Sequence, residues 1–406
     1  MKQMNNWKKN SILFLTSQSI SLIGSMLVQY AITWFITLET KSGIMMTISI
    51  ICGFLPTFFI SPFAGVWADR YNKKILIILS DSLIAISTLI LAILFLLGYD
   101  SIWLLFVTSA IRGIGSGIQT PAINSLLPSL VPSDKLMKIS GINSSIQSLI
   151  MLICPMISGA LLSLASIEAI FFIDVITAAI AVIILMFFLQ TPSQITEASN
   201  EKVNYFSDLS EGIRYIRSHD YIKKFFLFCS IFFLLATPVA FLTPLQVTRS
   251  FGDEVWRLTI IEITFSIGMM VGGIIMASWG GFKNRIHTMT LSCLLIGAST
   301  FALGIIPVFW IYAVMMGIAG FVMPFFNTPS TVLLQENVEE NYMGRVFGVL
   351  GMISSIMMPL GMVVFGPLSD IVRVEWLLIV TGVLMFIVAL FLMGDKSLLK
   401  VGKPKS

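Results

Sequence analysis

Residues 75–97 read ILIILSDSLIAISTLILAILFLL, twenty-three residues with a single charge, Asp81. Arg70, Lys73 and Lys74 stand just before the run and Asp100 just after it. As a helix rising 1.5 Å per residue it is about 34 Å long, enough to cross roughly 30 Å of hydrocarbon. The same texture recurs from residue 11 to residue 393. It predicts twelve spans, at 11–38, 43–66, 75–97, 101–124, 139–163, 168–190, 224–245, 258–279, 288–306, 309–332, 346–368 and 374–393.

Composition points the same way. Of 406 residues, 56% are hydrophobic and only 11% charged, with mean hydropathy +0.93. A soluble domain carries roughly 25% charged residues, so much of this surface must meet lipid. The net charge of +4 sits in short clusters between apolar runs, which excludes a nucleic-acid surface. Cys52, Cys154, Cys229 and Cys293 lie far apart inside apolar runs. They read as small packing residues, with neither disulfide nor zinc spacing. Only His219 and His287 are available as imidazoles, so no metal site or cofactor is expected. The chain has no Gly-rich phosphate loop, GxSxG or HExxH, and these are the signatures of nucleotide hydrolysis and of common catalytic sites. Energy is therefore expected from an ion gradient, and an enzyme is not expected. The first run, after Lys8 and Lys9, is too long for the apolar core of a signal peptide and reads as a retained helix.

Lys and Arg prefer cytoplasmic loops. With the N-terminus inside, twenty bases fall on the cytoplasmic side, against Lys41, Arg249, Arg257 and Arg373 outside. Arg112 alone is left within a span. The expectation is a multi-pass protein of the cell membrane with both termini cytoplasmic.

A polar stretch at 191–223 separates six spans from six. The expected organisation is an N-terminal six-helix bundle over 1–190, a cytoplasmic linker over 191–223 and a C-terminal bundle over 224–406. In the linker Phe206, Leu209, Ile213 and Ile216 recur at helical spacing behind a candidate N-cap, Ser207, so an amphipathic tethering helix is predicted. The halves also echo each other. Thr120-Pro121-Ala122 parallels Thr328-Pro329-Ser330, and Leu126, Leu127, Val131, Lys138 and Gly141 parallel Leu333, Leu334, Val338, Arg345 and Gly348. The fold class is thus an all-α membrane protein, with twelve transmembrane helices as two pseudo-symmetric six-helix bundles. Such repeats place substrate near the midplane between halves.

The loop after the second span reads Gly65-Val66-Trp67-Ala68-Asp69-Arg70-Tyr71-Asn72-Lys73-Lys74. It resembles the cytoplasmic signature of the major facilitator superfamily, with Asn72 where that family usually has a further Gly. The resemblance implies a cytoplasmic gate built on Gly65, Asp69, Arg70, Lys73 and Lys74. Arg112 with Gly113, Gly115 and Gly117 resembles the family's intramembrane-Arg motif. Cys154-Pro155-Met156-Ile157-Ser158-Gly159 is similar to its antiporter motif Gly-Pro-x-x-Gly-Gly, Pro155 and Gly159 matching while Cys154 and Ser158 replace glycines. Phe54-Leu55-Pro56, Thr120 to Asn124, Ile173-Asp174-Val175, Glu262-Ile263 and Gly344 to Phe347 resemble the drug-efflux branch that includes Gram-positive macrolide and tetracycline exporters. The implied activity is proton-coupled antiport of an amphipathic antibiotic, with drug and protons as partners, the chain working as a monomer in the bilayer. Some tetracycline exporters have acidic residues in the second span; this one has none. An exporter of another small molecule, such as a siderophore or metabolite, is the alternative.

Charges within spans are costly and mark function. Arg112 lies about 16 Å below the outer surface and Asp81 about 10 Å above the inner one. Their similar depth makes an Arg112–Asp81 pair geometrically plausible, structural or proton-linked. Asp174 and Glu262 sit a turn or two below the outer surface. These four are the proton-coupling candidates. The neutral residues Gln18, Gln29, Gln119, Asn124 and Gln147 are the substrate-binding candidates, because hydrogen bonders among Met and Phe suit a large amphipathic ligand.

Overall fold

The computed structural model describes residues 7–189 and 214–403. Among the described residues there is no strand, and twelve helices are long and apolar enough to cross a membrane. They are α1 (Trp7–Thr40), α2 (Gly43–Arg70), α3 (Lys73–Leu96), α4 (Ile102–Leu130), α5 (Ser133–Leu164) and α6 (Ile167–Phe188). Then come α7 (Asp220–Ser250), α8 (Val255–Trp279), α9 (Arg285–Leu303), α10 (Phe309–Asn337), α11 (Glu340–Ile371) and α12 (Val374–Gly394). A short α13 (Lys396–Val401) follows. The expected all-α, twelve-span architecture is present. Several helices run past the expected apolar limits, because polar residues at a helix end can stay helical once outside hydrocarbon. Of the expected linker helix, Phe206, Ser207, Leu209 and Ile213 lie outside the described residues, while Ile216 is helical and buried.

Local chemistry sets the ends. Asn72 caps α3 by accepting from the amides of Lys74 (3.0 Å) and Ile75 (3.4 Å). This explains Asn where a glycine was expected, since the side chain satisfies amides that the first turn leaves open. Gly280, at φ 73°, closes α8 in the left-handed conformation that glycine adopts without strain. Pro238 lacks an amide hydrogen, and α7 passes through a π turn over Pro238–Leu242 where it sits.

Helix α3 is amphipathic in the inverse sense. Ser80, Asp81, Ser87 and Thr88 are buried, while Leu79, Leu83, Ile86, Ile90 and Ile93 are exposed. The exposed side chains recur every three or four residues, so a single stripe of the helix is apolar and outward. Only a lipid environment rewards that arrangement.

The repeat read in the sequence is carried by the helix boundaries. Leu96, Ile102, Leu130, Ser133, Leu164 and Ile167 each bound a helix, and the residue 207 positions on bounds the corresponding one: Leu303, Phe309, Asn337, Glu340, Ile371 and Val374.

By contacts the chain forms two compact units, Met1–Ile36 with Ile48–Lys202, and Thr37–Thr47 with Val203–Ser406. In the first, a buried cluster includes Phe14, Ile77, Leu126, Leu127, Leu185 and Leu189. Phe95 and Phe171 lock α3 to α6 edge to face at 5.6 Å. In the second, Phe232 stacks on Phe326 at 3.9 Å within a cluster to which every helix from α7 to α13 contributes. There α8 and α10 cross at glycines. A Cβ added to Gly268 would overlap the Gly317 carbonyl, and one added to Gly272 or Gly320 would overlap the carbonyls of Phe321 and Phe265. Close backbone approach through small residues is how spans associate when no hydrophobic force separates helix from lipid. The first unit has the counterpart: Thr57 donates to the Gly113 carbonyl (2.8 Å), and a Cβ on Gly113 would lie 2.5 Å from the Gly53 oxygen.

Residues 37–47 join the second unit for an electrostatic reason. Asp370 accepts from Ser42 Oγ (2.7 Å), Gly43 N (2.7 Å) and Ile44 N (3.0 Å), so it caps the start of α2. Arg249 donates through Nε to the Lys41 carbonyl (3.0 Å) just past α1 and pairs with Asp370 (2.7 Å). An acid at a helix N-terminus and a base at a C-terminus each oppose the local macrodipole charge. Lys41 also pairs with Asp253 at 2.7 Å and holds that carboxyl below its usual pKa. At the other end of the second unit, Asp395 caps α13 and pairs with Lys224 at 3.0 Å. Burial alone would raise the Asp395 pKa, but the bonds from Lys224, Leu398 N and Ser397 N outweigh it and lower it.

Candidate functional site

In α4, Arg112 is followed by glycines at 113, 115 and 117. A Cβ at Gly115 would meet Ile84, and one at Gly117 the Thr57 carbonyl at 3.1 Å. Without side chains there, α4 presses close to α2 and α3, which brings the guanidinium deep into the first unit.

Arg112 is buried and bonds to three other helices. Nη1 reaches Asp174 Oδ2 of α6 and Thr88 Oγ1 of α3, both at 2.6 Å. Nη2 donates to the Ser25 carbonyl of α1 at 3.1 Å. Asp174 is wholly buried, and its Oδ1 lies 3.5 Å from the Ser25 hydroxyl. Gly24 keeps the space open, since a Cβ there would overlap Thr177 Oγ1 and come within 2.9 Å of Asp174 Oδ1. The result is a brace that ties α1, α3, α4 and α6 with every charge paired.

The expected Arg112–Asp81 pair is not formed: Arg112 makes its ion pair with Asp174. Similar depth does not fix direction around a helix axis, and α6 supplies a carboxylate on the side where Arg112 points. Asp81, seven residues before Thr88, is a second polar centre about 10 Å along α3. Its Oδ1 accepts from Ser21 Oγ of α1 (2.7 Å) and Gln119 Nε2 of α4 (2.6 Å). Gln18 approaches the same carboxylate. Three neutral polar groups thus surround one acid.

Of the five neutral residues expected to bind substrate, Gln18 and Gln119 gather at Asp81, whereas Gln29, Asn124 and Gln147 are exposed. Ser144, Ser145 and Ser148 are exposed beside Gln147, a polar stripe early in α5. Glu262 is half-buried on α8. At the antiporter-like motif, Ser158 Oγ donates to the Leu27 carbonyl at 3.2 Å and Cys154 Sγ lies 3.9 Å from the Ile23 carbonyl. The two residues that replace glycine therefore seat α5 against α1. Pro155 and Gly159 are both buried.

At the loop signature, Gly65 and Arg70 close α2, and Arg70 is exposed. The Asp69 side chain lies outside the described residues. Lys73 opens α3. Lys74 donates to the carbonyls of Leu189 (2.8 Å) and Met186 (3.2 Å), a cation on the open end of α6. Sequence reasoning missed that role, and also missed Ser21, Ser25 and Thr88 as partners of the buried charges. Small hydroxyl residues are too common in spans to signal such a role. Among the described residues no group of His, Cys, Asp and Glu could hold a metal ion.

Twelve spans, an internal repeat and buried polar centres define a polytopic membrane transporter. The sequence profile of the Major Facilitator Superfamily matches residues 14–362, and the chain belongs to that family. It is 30% identical over 392 residues to macrolide efflux protein A of Streptococcus pyogenes, covering 96% of each chain. It is 31% identical to macrolide efflux protein A of Enterococcus faecalis, over 79% of this chain and 99% of that one. A staphyloferrin A transporter of Staphylococcus aureus is 24% identical over 88% of this chain and 89% of its own. Among solved structures, a POT family transporter in complex with 5-aminolevulinic acid superposes with TM-score 0.74 at 14% identity, covering 95% of both chains. A D-xylose-proton symporter superposes with TM-score 0.69 at 14% identity, covering 97% of this chain and 99% of its own. At that identity these two structures speak to fold alone.

Proposed function

We propose that this protein is a secondary active exporter that moves a macrolide-like amphipathic antibiotic out of the cell in exchange for protons. The observation that carries this is the likeness to macrolide efflux proteins along nearly the whole of both chains. It favours macrolides over tetracyclines among the substrates expected from sequence. Bundles over 1–190 and 224–406, joined by the linker over 191–223, alternate access to a midplane site. Both termini are cytoplasmic, because most bases then lie inside. Gly65, Asp69, Arg70, Lys73 and Lys74 form the cytoplasmic gate, and Pro155 with Gly159 lets α5 bend and pack against α1. Coupling draws on Asp81, Arg112, Asp174 and Glu262. Gln29, Asn124 and Gln147 are the neutral polar residues free to meet drug. An ion gradient supplies the energy, since the chain lacks a phosphate loop, and the buried carboxyls make the proton the ion of this reading.

The test is macrolide uptake into inverted vesicles with and without a pH gradient, beside drug susceptibilities in a pump-deficient host. Uptake is expected to need the gradient, and Asp174→Asn and Glu262→Gln to impair it. Normal export by both variants would remove the coupling assignment. The relation to a staphyloferrin A transporter supports a second reading, export of a siderophore-like molecule. No change in susceptibility to any antibiotic would favour it.

A further inference from the structure

The two oxygens of Asp81 are used unequally. The residue is 1% exposed. Oδ1 takes both hydrogen bonds, from Ser21 and Gln119. Oδ2 is sealed from solvent and bonded by nothing. Gln18, one turn before Ser21 on α1, reaches toward the carboxylate, but its sealed Nε2 does not make a well-formed hydrogen bond there. Buried polar groups are nearly always satisfied, so an acceptor and a donor left loosely matched mark the point of this polar centre where the bonding can change. Among the described residues no base pairs with Asp81. Arg112, the one basic residue in the interior of these spans, is held by Asp174, Thr88 and Ser25. The charge whose field reaches Asp81 is Asp174 on α6, and Arg112 on α4 neutralises it. From α1 come only Gln18 and Ser21.

We propose that Asp81 Oδ2 is where the exchanged proton sits in the first unit, and that Gln18 is the group that reads its presence. The proposal rests on the proton-antiport reading above. A carboxamide presents an acceptor at one end and a donor at the other. When Oδ2 is protonated, its O–H donates to Gln18 Oε1. When it is ionised, the amide turns over and Nε2 donates to Oδ2. An O–H bond forms at Oδ2 with a proton taken from water on one side of the membrane. The same bond breaks when the proton passes to water on the other side, and nothing is oxidised or reduced. The turning amide belongs to α1, so loading is transmitted to that helix.

The experiment uses the full chain in proteoliposomes with a radiolabelled macrolide. A pH gradient is expected to drive accumulation by the wild type. Asp81→Asn should lose that accumulation at least tenfold while still equilibrating drug down its own gradient. Infrared difference spectra on drug addition should show a protonated-carboxyl component that Asp81→Asn lacks and Asp174→Asn keeps. Gln18→Leu leaves Asp81 in place but removes its acceptor, so the frequency of that component should move. Gradient-driven accumulation by Asp81→Asn at the wild-type level overturns the proposal alone. So does an unmoved band in Gln18→Leu, whether or not Asp81→Asn survives purification. A wild type that ignores the pH gradient, or follows a sodium gradient instead, overturns the antiport reading and this proposal with it.

Discussion

A guanidinium and a carboxylate 2.6 Å apart in a dry interior depend on each other. Removing one partner of a buried pair strands the other, at a cost of about 3–5 kcal/mol. Replacing both by apolar groups is far milder. Asp174→Asn should therefore lower the unfolding temperature in detergent sharply, and Asp174→Leu with Arg112→Met should recover most of the loss. A single variant that melts with the wild type would show that the brace contributes little. The comparison also separates stability from coupling, since Asp174→Asn can impair transport simply by unpairing Arg112. The sequence showed which residues were costly but not how they pair. The rise per residue gave depth, whereas direction around the axis is set by packing. Gly113, Gly115 and Gly117 let α4 lie against α2 and α3, and no count along the chain contains that information.

Among the helices, the spans were legible because twenty apolar residues in a row have few alternative structures. The crossings were not, because a glycine in a span has the same letter whether it faces lipid or another backbone. Gly272 and Gly273 are adjacent and opposite in this respect. A Cβ on Gly272 would overlap the Phe321 carbonyl of α10, whereas one on Gly273 meets nothing within 4 Å. Gly272→Val should separate α8 from α10 and cost about 1–3 kcal/mol, the usual penalty for overpacking. Gly273→Ala should be neutral or mildly stabilising, given the better helix propensity of alanine. Thermal unfolding of the two variants in one detergent checks both, and equal melting would discount the glycine crossing. The corner at 37–47 was illegible for another reason. Chain neighbours assign it to the first six spans, but Asp370 and Arg249 hold its helix ends, and those charges are more than two hundred residues away.

For the whole molecule, the imbalance of basic residues makes a claim about orientation that labelling can check. Asp100→Cys should react with a membrane-impermeant maleimide added to intact cells, and Tyr71→Cys only after lysis. The native cysteines give little background, since three are buried and Cys52 is partly so. The reverse pattern would invert the topology. The doubled architecture was visible in sequence only as short echoes around Pro121 and Pro329. The six matching helix boundaries from Leu96 to Ile167 now add a history to it. Descent from a chain of half this length, copied end to end, accounts for the constant offset, with no net insertion or deletion retained across that stretch in either copy. Before fusion, such a half-length ancestor would have needed a second copy of itself to make a whole. The two copies now differ in role: the first carries the Arg112–Asp174 brace, and the second holds residues 37–47 through Asp370 and Arg249.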